Sequence, residues 1–230
     1  MSDYSTRFSI CIPCYDDLKG LRETLKSLME CLESKQKDQF DIVIGLNDCN
    51  FDKKDILKGH NLNSGIVISC FKTQKYLEYD DSILFVLSKV RSDFCLLIGC
   101  GDLALPNLSE ALSSFGNSEP EFGLLPVRLE RKAKRLTNLV PEYTWRSTSL
   151  GVFNKVLSGH IFRTASLKFL FEDAPFLACE WAHVEIAIAV QGQKKGNKAL
   201  QYDGPAIRRE ISGSGWWTKV DIYKQYIEYC

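Results

Sequence analysis

"FSICIPCYDDLKGLRETLKSL", residues 8–28, joins two different hydrophobic patterns with only a few polar residues between them. Phe8 to Pro13 is a short apolar run that ends in proline, which predicts a buried strand of a parallel sheet. From Leu18 to Leu32, leucines recur at helical intervals with charged residues between them, which predicts an amphipathic helix. A strand that leads directly into such a helix is the beginning of a βαβ unit.

The same alternation continues through the first half of the chain. Further strands are predicted at Phe40–Leu46, Gly65–Phe71 and Phe94–Ile98, and further helices at Asp80–Val90 and Asn107–Ser114. This repetition predicts an α/β fold whose mostly parallel sheet is covered by helices on both faces.

Polar residues follow three of the predicted strands, at Pro13–Asp17, Asn47–Asp52 and Gly99–Asp102. In an open parallel sheet, ligands bind beyond the carboxyl ends of the strands. We therefore expect these three segments to meet at one rim and to form the binding cleft.

Composition excludes several classes of protein. The chain has 230 residues, 45% of them hydrophobic and 25% charged, which is typical of one globular domain or one domain with a small annex. Lys plus Arg number 29 and Asp plus Glu number 29, so the formal net charge is zero and no overall positive potential attracts nucleic acid. The apolar runs are too short to cross a bilayer, and the polar start from Met1 to Arg7 is no signal peptide. We expect a cytoplasmic location.

The nine cysteines are scattered, mostly in apolar runs, which suits a reducing compartment. Cys11-Ile12-Pro13-Cys14 has the spacing of thioredoxin-like redox sites, where a helix N-terminus lowers the pKa of the first thiol. Here the helical pattern begins only after Asp17, so Cys11 is predicted to lie inside a strand. A redox role of this pair is kept as the weaker alternative.

The second half of the chain is less regular. Its features are a strand at Phe122–Leu129, a basic cluster at Arg131–Arg135, an apolar segment at Val152–Arg163, a helix with an apolar stripe at Val184–Val190, a glycine-rich tail at Asp203–Trp217 and helical spacing at Val220–Tyr229. The tail is predicted to be a loop that orders over a ligand.

Three segments together resemble the family 2 glycosyltransferases of the GT-A fold, and in particular the abequosyltransferase-like branch. They are "FSICIPCYDDLKGLRETLKSL", "FDIVIGLNDCNFD" and "EYDDSILFVLSKVRSDFCLLIGCGDLALPNLSEAL", in the family's order. The resemblance implies a GT-A type, Rossmann-like domain with an irregular C-terminal half. Residues 1–115 would form its nucleotide-sugar-binding half, and residues 116–230 the acceptor-binding half of the same single domain.

The sequence departs from the family pattern at four places. Asn47 stands where the base-binding aspartate usually is, Ser82 replaces an asparagine and Cys14 replaces a threonine or serine. Gly99–Asp102, "GCGD", stands for Gly-Asp-Asp-Asp, so only the last acid of the metal-binding D-x-D motif is present.

The resemblance implies a set of donor-binding residues with Asp102 as the ligand of Mg²⁺ or Mn²⁺. Such a cation needs only one or two protein carboxylates and stabilises the departing diphosphate. Several of these residues also have a structural alternative. Asp102 could cap a helix over Leu103–Leu112, and Asn47 could simply end its strand in a turn. Asp80 and Ser82 could cap the helix that follows, and Arg208 and Arg209 could be a solvated pair. The implied nucleotide-sugar-binding residues are Pro13, Cys14, Tyr15, Asp16, Asn47, Asp80, Ser82, Gly101, Asp102, Arg208 and Arg209.

An inverting transfer also needs a base that deprotonates the acceptor hydroxyl. Glu180 matches the first acid of the family's pair before a helix; His183 is the second candidate and Glu172-Asp173 the third. A helix N-terminal acid such as Glu180 is also a common dipole partner. The resemblance places His160 and Trp181 on the acceptor side, and the alternative for both is a place in the core.

The function implied is transfer of a sugar from a nucleotide-diphosphate donor, with UDP-sugars favoured, to a glycan acceptor. The abequosyltransferase-like branch builds bacterial surface polysaccharides, so the resemblance implies a role in O-antigen or capsule biosynthesis. A lipid-linked acceptor would bring the protein to the inner face of the cytoplasmic membrane, where Arg131–Arg135 is a candidate contact for anionic headgroups. The main rival is a catalytically inactive GT-A-like binding or scaffold protein, which the incomplete metal motif favours.

Overall fold

The computed structural model describes residues 8–32, 39–59, 66–116, 120–130, 145–147, 157–172, 182–192, 199–202, 204 and 206–210. The predicted basic cluster at Arg131–Arg135 and the predicted helical segment at Val220–Tyr229 lie outside these residues, as does most of the glycine-rich tail. Asp173, Glu180 and Trp181 lie outside them too.

The strands and helices alternate through the first half as predicted. The strands of the chain are β1 (Phe8–Tyr15), β2 (Phe40–Asn47), β3 (Val67–Lys72), β4 (Phe94–Leu97), β5 (Asp102–Ala104), β6 (Phe122–Leu124), β7 (Val127–Glu130), β8 (Trp145–Ser147), β9 (His160–Arg163), β10 (Ala199–Tyr202) and β11 (Ile207–Glu210). The helices are α1 (Leu18–Leu32), α2 (Lys53–Leu57), α3 (Tyr79–Leu87), α4 (Leu108–Gly116), α5 (Phe169–Glu172) and α6 (Ala182–Gly192), with a 3₁₀ turn at Thr164–Leu167 before α5.

Eight strands form one mixed and mostly parallel sheet in the order β3-β2-β1-β4-β9-β6-β10-β8. The neighbours β3, β2, β1 and β4 are parallel, with Phe8 of β1 in register with both Phe40 and Phe94. β9 runs antiparallel to β4 and β6, and β8 runs antiparallel to β10. A second sheet has the order β5-β11-β7. The predicted α/β architecture is confirmed.

Helices cover both faces of the large sheet. The apolar side of α1, with Leu21 and Leu25, packs with α4 on one face in a cluster that includes Phe8. The other face carries α3 and α6, through residues such as Ile83 and Ile186. Each fully buried leucine or isoleucine contributes roughly 1.5–3 kcal/mol, so both helix layers hold firmly to the sheet.

The order of the strands creates a switch point. The chain runs outward from β1 to β2 and β3, then returns to place β4 on the other side of β1. Between the carboxyl ends of β1 and β4 the crossovers therefore leave in opposite directions, which opens a crevice where α/β sheets bind ligands.

One prediction from the sequence was wrong, and one of the structural alternatives is excluded. Phe122–Leu129 is not one strand: β6 and β7 belong to different sheets, and Pro126 between them lacks the N–H group that would continue a ladder. Asp102 does not cap a helix, because it begins β5 and the next helix starts at Leu108, beyond Pro106.

Among the described helices, none is long and apolar enough to cross a membrane.

Candidate functional site

The turn after β1 brings two exposed side chains to the switch point. Tyr15 is 59% exposed, and Asp16 is also exposed and has a left-handed backbone with φ 41°. The turn is held by the Asp16 N–H group, which donates to Cys49 Sγ at 3.4 Å. Tyr15 contacts Tyr76 edge to face, with 5.7 Å between ring centroids. Tyr76 was missed from the sequence because it lies in a polar loop after β3.

Asn47 ends β2 and is buried, and its amide holds the loop before α3. Its Nδ2 donates to the Leu77 carbonyl at 2.8 Å, and its Oδ1 accepts from the Leu77 N–H group at 2.8 Å. An aspartate could not donate the first of these bonds, which explains why an amide stands here. The predicted contact with the base would have to use the second Nδ2 hydrogen.

Asp80 and Ser82 are both buried in the first turns of α3. Neither caps α3, whose N-cap is Glu78 and has no side-chain hydrogen bond there. Instead, Asp80 Oδ1 accepts from the N–H group of Ala182, the first residue of α6, at 2.9 Å. The predicted capping role is wrong for α3, and Asp80 joins the starts of two helices at the carboxyl edge of the sheet.

The loop after β4 is anchored by hydroxyl groups of α1. Gly101 has φ 90°, which favours glycine, and its N–H group donates to Thr24 Oγ1 at 2.9 Å. The Ala104 N–H group donates to Ser27 Oγ at 2.9 Å. Thr24 and Ser27 were missed from the sequence, although two hydroxyl side chains three positions apart on a leucine-rich helix are a visible signal.

Asp102 is buried, and both of its carboxylate oxygens have partners. Ser158 Oγ donates to Oδ2 and itself accepts from the Gly99 N–H group at 2.7 Å. Arg209 Nε lies 3.8 Å from Oδ1, because β11 pairs Arg209 with Asp102 across the small sheet. Burial raises the pKa of Asp102, while Ser158 and Arg209 act in the opposite direction. Ser158 was missed from the sequence.

In this arrangement Asp102 is the single acid of the metal motif. Asp102 Oδ2 accepts from Ser158 Oγ and Oδ1 faces Arg209 at 3.8 Å, which leaves lone pairs on both oxygens for a cation. Cys100 replaces the other acid of the metal motif, and among the described residues no group of three His, Cys, Asp or Glu side chains could hold a metal ion. In the described arrangement the charge opposite Asp102 is the guanidinium of Arg209.

Of the two arginines expected at the diphosphate, Arg209 lies at the switch-point rim through its pairing with Asp102, and Arg208 is its neighbour on β11. Pro13 lies within β1, in register with Gly45.

The two histidines lie in the interior, not in an open cleft. His160 is fully buried and His183 nearly so, with 5.0 Å between their ring centroids. Burial lowers the pKa of His160 to about 4, and burial together with His160 lowers the pKa of His183 well below its usual value. A base or acceptor contact must reach the substrate, so these predicted roles do not fit.

Cys11 and Cys14 do not form a redox pair. They are three residues apart in a strand, where alternate side chains face opposite sides, and they belong to the two different core clusters of the sheet. Cys11 interacts with Cys95 on one face, whereas Cys14 Sγ lies 3.4 Å from Cys100 Sγ. The redox alternative based on Cys11 and Cys14 is therefore wrong.

A cavity of about 420 Å³ lies at the opposite, amino edge of the sheet. Ser92, Arg163, Thr164 and Lys168 are among its lining residues. Its position makes it separate from the switch-point rim.

No protein-family model matches the sequence, and no curated protein matches it. Several solved structures are similar in fold. TarS 1–349 of S. aureus in complex with UDP-GlcNAc gives a TM-score of 0.68 at 14% identity, covering 96% of this chain and 64% of that one. The mannosyltransferase PcManGT of Pyrobaculum calidifontis, in complex with GDP-Man and Mn²⁺, gives 0.65 at 10% identity, covering 94% and 60%.

The fold is the GT-A fold. The chain spans less than two thirds of the length of these neighbours, and at such low identity the likeness concerns the fold alone.

Proposed function

We propose that this chain is a glycosyltransferase that uses a nucleotide-diphosphate sugar as donor. The observation that carries the proposal is the convergence of Tyr15–Asp16 and Gly101–Asp102 at the switch point of a GT-A fold. Solved neighbours with this fold hold UDP, UDP-GlcNAc or GDP-Man, which supports a donor of this class.

The proposed donor site uses the exposed part of the rim. Tyr15 and Tyr76 offer aromatic surface to a base, and Asp16 offers a carboxylate to a base or ribose. Gly101 lets the backbone approach the ribose and phosphates closely, and Arg208 and Arg209 are the proposed partners of the diphosphate. A uridine donor is favoured.

The proposed reaction is an inverting transfer. An acceptor hydroxyl oxygen attacks the anomeric carbon as the bond to the diphosphate oxygen breaks, and a carboxylate takes the hydroxyl proton. Glu180 is the proposed base, with Glu172-Asp173 as the alternative. The bond between Ala182 and Asp80 supports this choice, because it brings the start of α6 to the carboxyl edge of the sheet.

The acceptor is proposed from the family resemblance alone. Residues 116–230 would bind a glycan, with Trp181 against a sugar face, in the assembly of a bacterial surface polysaccharide such as O-antigen or capsule. A lipid-linked acceptor at the inner face of the cytoplasmic membrane is the proposed setting.

The part played by Mg²⁺ or Mn²⁺ stays a prediction. One neighbour holds Mn²⁺, but here Asp102 is bound to Ser158 and Arg209. No step of the proposed reaction is derived through a cation.

Calorimetric titration of UDP and of GDP, with Mn²⁺ or with EDTA, tests the proposal. We expect Asp16→Ala to weaken nucleotide binding about tenfold or more, the loss of one charged hydrogen bond. The matched control is Asp93→Ala, an exposed aspartate at the amino edge, which should bind as the wild type does.

The rival is a catalytically inactive binding or scaffold protein, and the pairing of Asp102 with Arg209 is the observation that favours it. If neither nucleotide binds to the wild type with or without Mn²⁺, the transferase proposal fails and the scaffold alternative replaces it.

A further inference from the structure

Three thiols from different parts of the chain meet at the switch point. Cys14 lies near the end of β1, Cys49 follows β2 and Cys100 follows β4. Cys14 Sγ lies 3.4 Å from Cys100 Sγ, and Cys49 Sγ lies 3.6 Å from the carbonyl oxygen of Cys14. None of the described cysteines is in a disulfide.

The contact between Cys14 and Cys100 spans the crevice. β1 and β4 are parallel neighbours, and the crossovers from their ends leave in opposite directions. Cys100 Sγ also lies 3.4 Å from the carbonyl oxygen of Asp17, at the turn that carries Tyr15 and Asp16. A bond between the two sulfurs would therefore join both walls of the candidate donor site.

The two thiols differ in access. Cys14 is buried, whereas Cys100 is half-buried in a short loop between Gly99 and Gly101. An oxidant in solution therefore reaches Cys100 first, and Cys14 lies in contact behind it. The hydrogen bond with Cys100 and burial both raise the pKa of the Cys14 thiol.

We propose that Cys14 and Cys100 are a redox modification site that closes to a disulfide across the switch point. The oxidant is a peroxide. A disulfide needs about 2.05 Å between the sulfurs, so they must approach by about 1.4 Å from the present 3.4 Å.

The atoms balance in two steps. The thiolate of Cys100 attacks one peroxide oxygen and breaks the O–O bond, which gives a sulfenic acid and hydroxide. The sulfur of Cys14 then attacks the sulfur of Cys100 and displaces hydroxide, while the thiol proton of Cys14 converts that hydroxide to water. The proton that Cys100 loses when it forms the thiolate converts the first hydroxide to water. In sum, two thiols and one hydrogen peroxide give one disulfide and two waters, and two electrons pass from sulfur to the peroxide.

Oxidation should weaken donor binding, a consequence that rests on the proposed function. The disulfide would draw the loop after β4 toward β1, where the nucleotide is proposed to lie. A disulfide sulfur has no S–H group, so Cys100 could no longer donate to the carbonyl oxygen of Asp17. The turn that carries Tyr15 and Asp16 would lose this contact.

The test uses the full chain, fully reduced and then treated with hydrogen peroxide. Remaining thiols are alkylated in denaturant, and unreduced peptides are analysed by mass spectrometry. We expect a peptide that links Cys14 to Cys100, two hydrogens lighter than the two thiols and cleaved again by dithiothreitol. Cys100→Ser should abolish the link, whereas Cys31→Ser, a half-buried cysteine of α1, should leave it unchanged.

The proposal is overturned if Cys14 and Cys100 are both found alkylated after peroxide treatment. It is also overturned if Cys14 is linked to Cys49 instead. This outcome is read in the wild type, so it does not depend on whether the variants fold. A UDP titration of the linked protein should show at least tenfold weaker binding, restored by reduction. Unchanged UDP binding after oxidation would overturn the claim that the disulfide closes the donor site, whereas a reduced protein that binds neither UDP nor GDP would refute the proposed function instead.

Discussion

Gly159→Ala should destabilise the protein far more than the same change at Gly59. Both glycines have left-handed backbones, with φ 97° at Gly159 and φ 86° at Gly59. An alanine at either position costs about 1–2 kcal/mol for that conformation. The gain from a less flexible unfolded chain is the same at both positions, so it cancels when the two variants are compared.

The two positions differ in their surroundings. A Cβ atom at Gly159 would lie 2.1 Å from the carbonyl oxygen of Leu125, whereas no atom of the described residues lies within 4 Å of one at Gly59. Leu125 cannot yield easily, because its N–H group donates to the Gly159 carbonyl at 2.8 Å and the Gly159 N–H group donates to Leu97 at 2.9 Å. Overpacking of this kind costs about 1–3 kcal/mol more.

Before the gain from a less flexible unfolded chain, which both variants share, we therefore expect losses of about 2–5 kcal/mol for Gly159→Ala and about 1–2 kcal/mol for Gly59→Ala. Urea unfolding followed by circular dichroism measures both. Equal losses, within about 0.5 kcal/mol, would refute the claim that the contact with Leu125 sets the conformation of this turn. The turn matters for the site because the residue before Gly159 is Ser158, which holds Asp102.

Two further predictions concern buried polar groups. Asn47→Asp places a carboxylate oxygen against the Leu77 carbonyl, so we expect the free energy of unfolding to fall by about 2–4 kcal/mol at pH 8. The loss should be smaller at pH 5, where a protonated carboxyl can donate to that carbonyl. Urea unfolding at both pH values measures the loss, and no loss at pH 8 would contradict the prediction. For His160, the pKa is about 4 in the folded protein and about 6.5 when unfolded, so the unfolded chain binds more protons between these values and stability falls as the pH drops from about 6.5 to about 4. The loss is up to about 3 kcal/mol, and His160→Phe should remove it from the pH profile, while the contribution of His183 remains. An unchanged pH profile in this variant would show that His160 is not buried neutral.

The fold of the first half could be predicted because its signals are local. Leu18–Leu32 was predicted as a helix from the spacing of its leucines, and α1 has the same bounds. The parallel sheet followed from the alternation of strand and helix patterns, and the binding rim followed from the rule for strand ends. Prolines were the signal that was misjudged, at Pro106 and at Pro126.

The partners of the site residues could not be predicted, because they lie far away in sequence. Leu77, which binds the Asn47 amide, lies 30 positions after Asn47 in the sequence. Ser158, which binds the Asp102 carboxylate, lies 56 positions after Asp102. A buried polar group needs a partner, but the sequence pattern does not say which one.

What the sequence determined by itself is the order of the strands and helices and the identity of the residues at the strand ends, because hydrophobic periodicity and turn chemistry act over a few residues. What only the tertiary structure decided is how those residues pair. Cys14 was read beside Cys11, three residues away, but a strand directs these two thiols to opposite faces. The sheet brings Cys14 to Cys100, 86 positions along the chain, because β1 and β4 become neighbours only when the crossover returns.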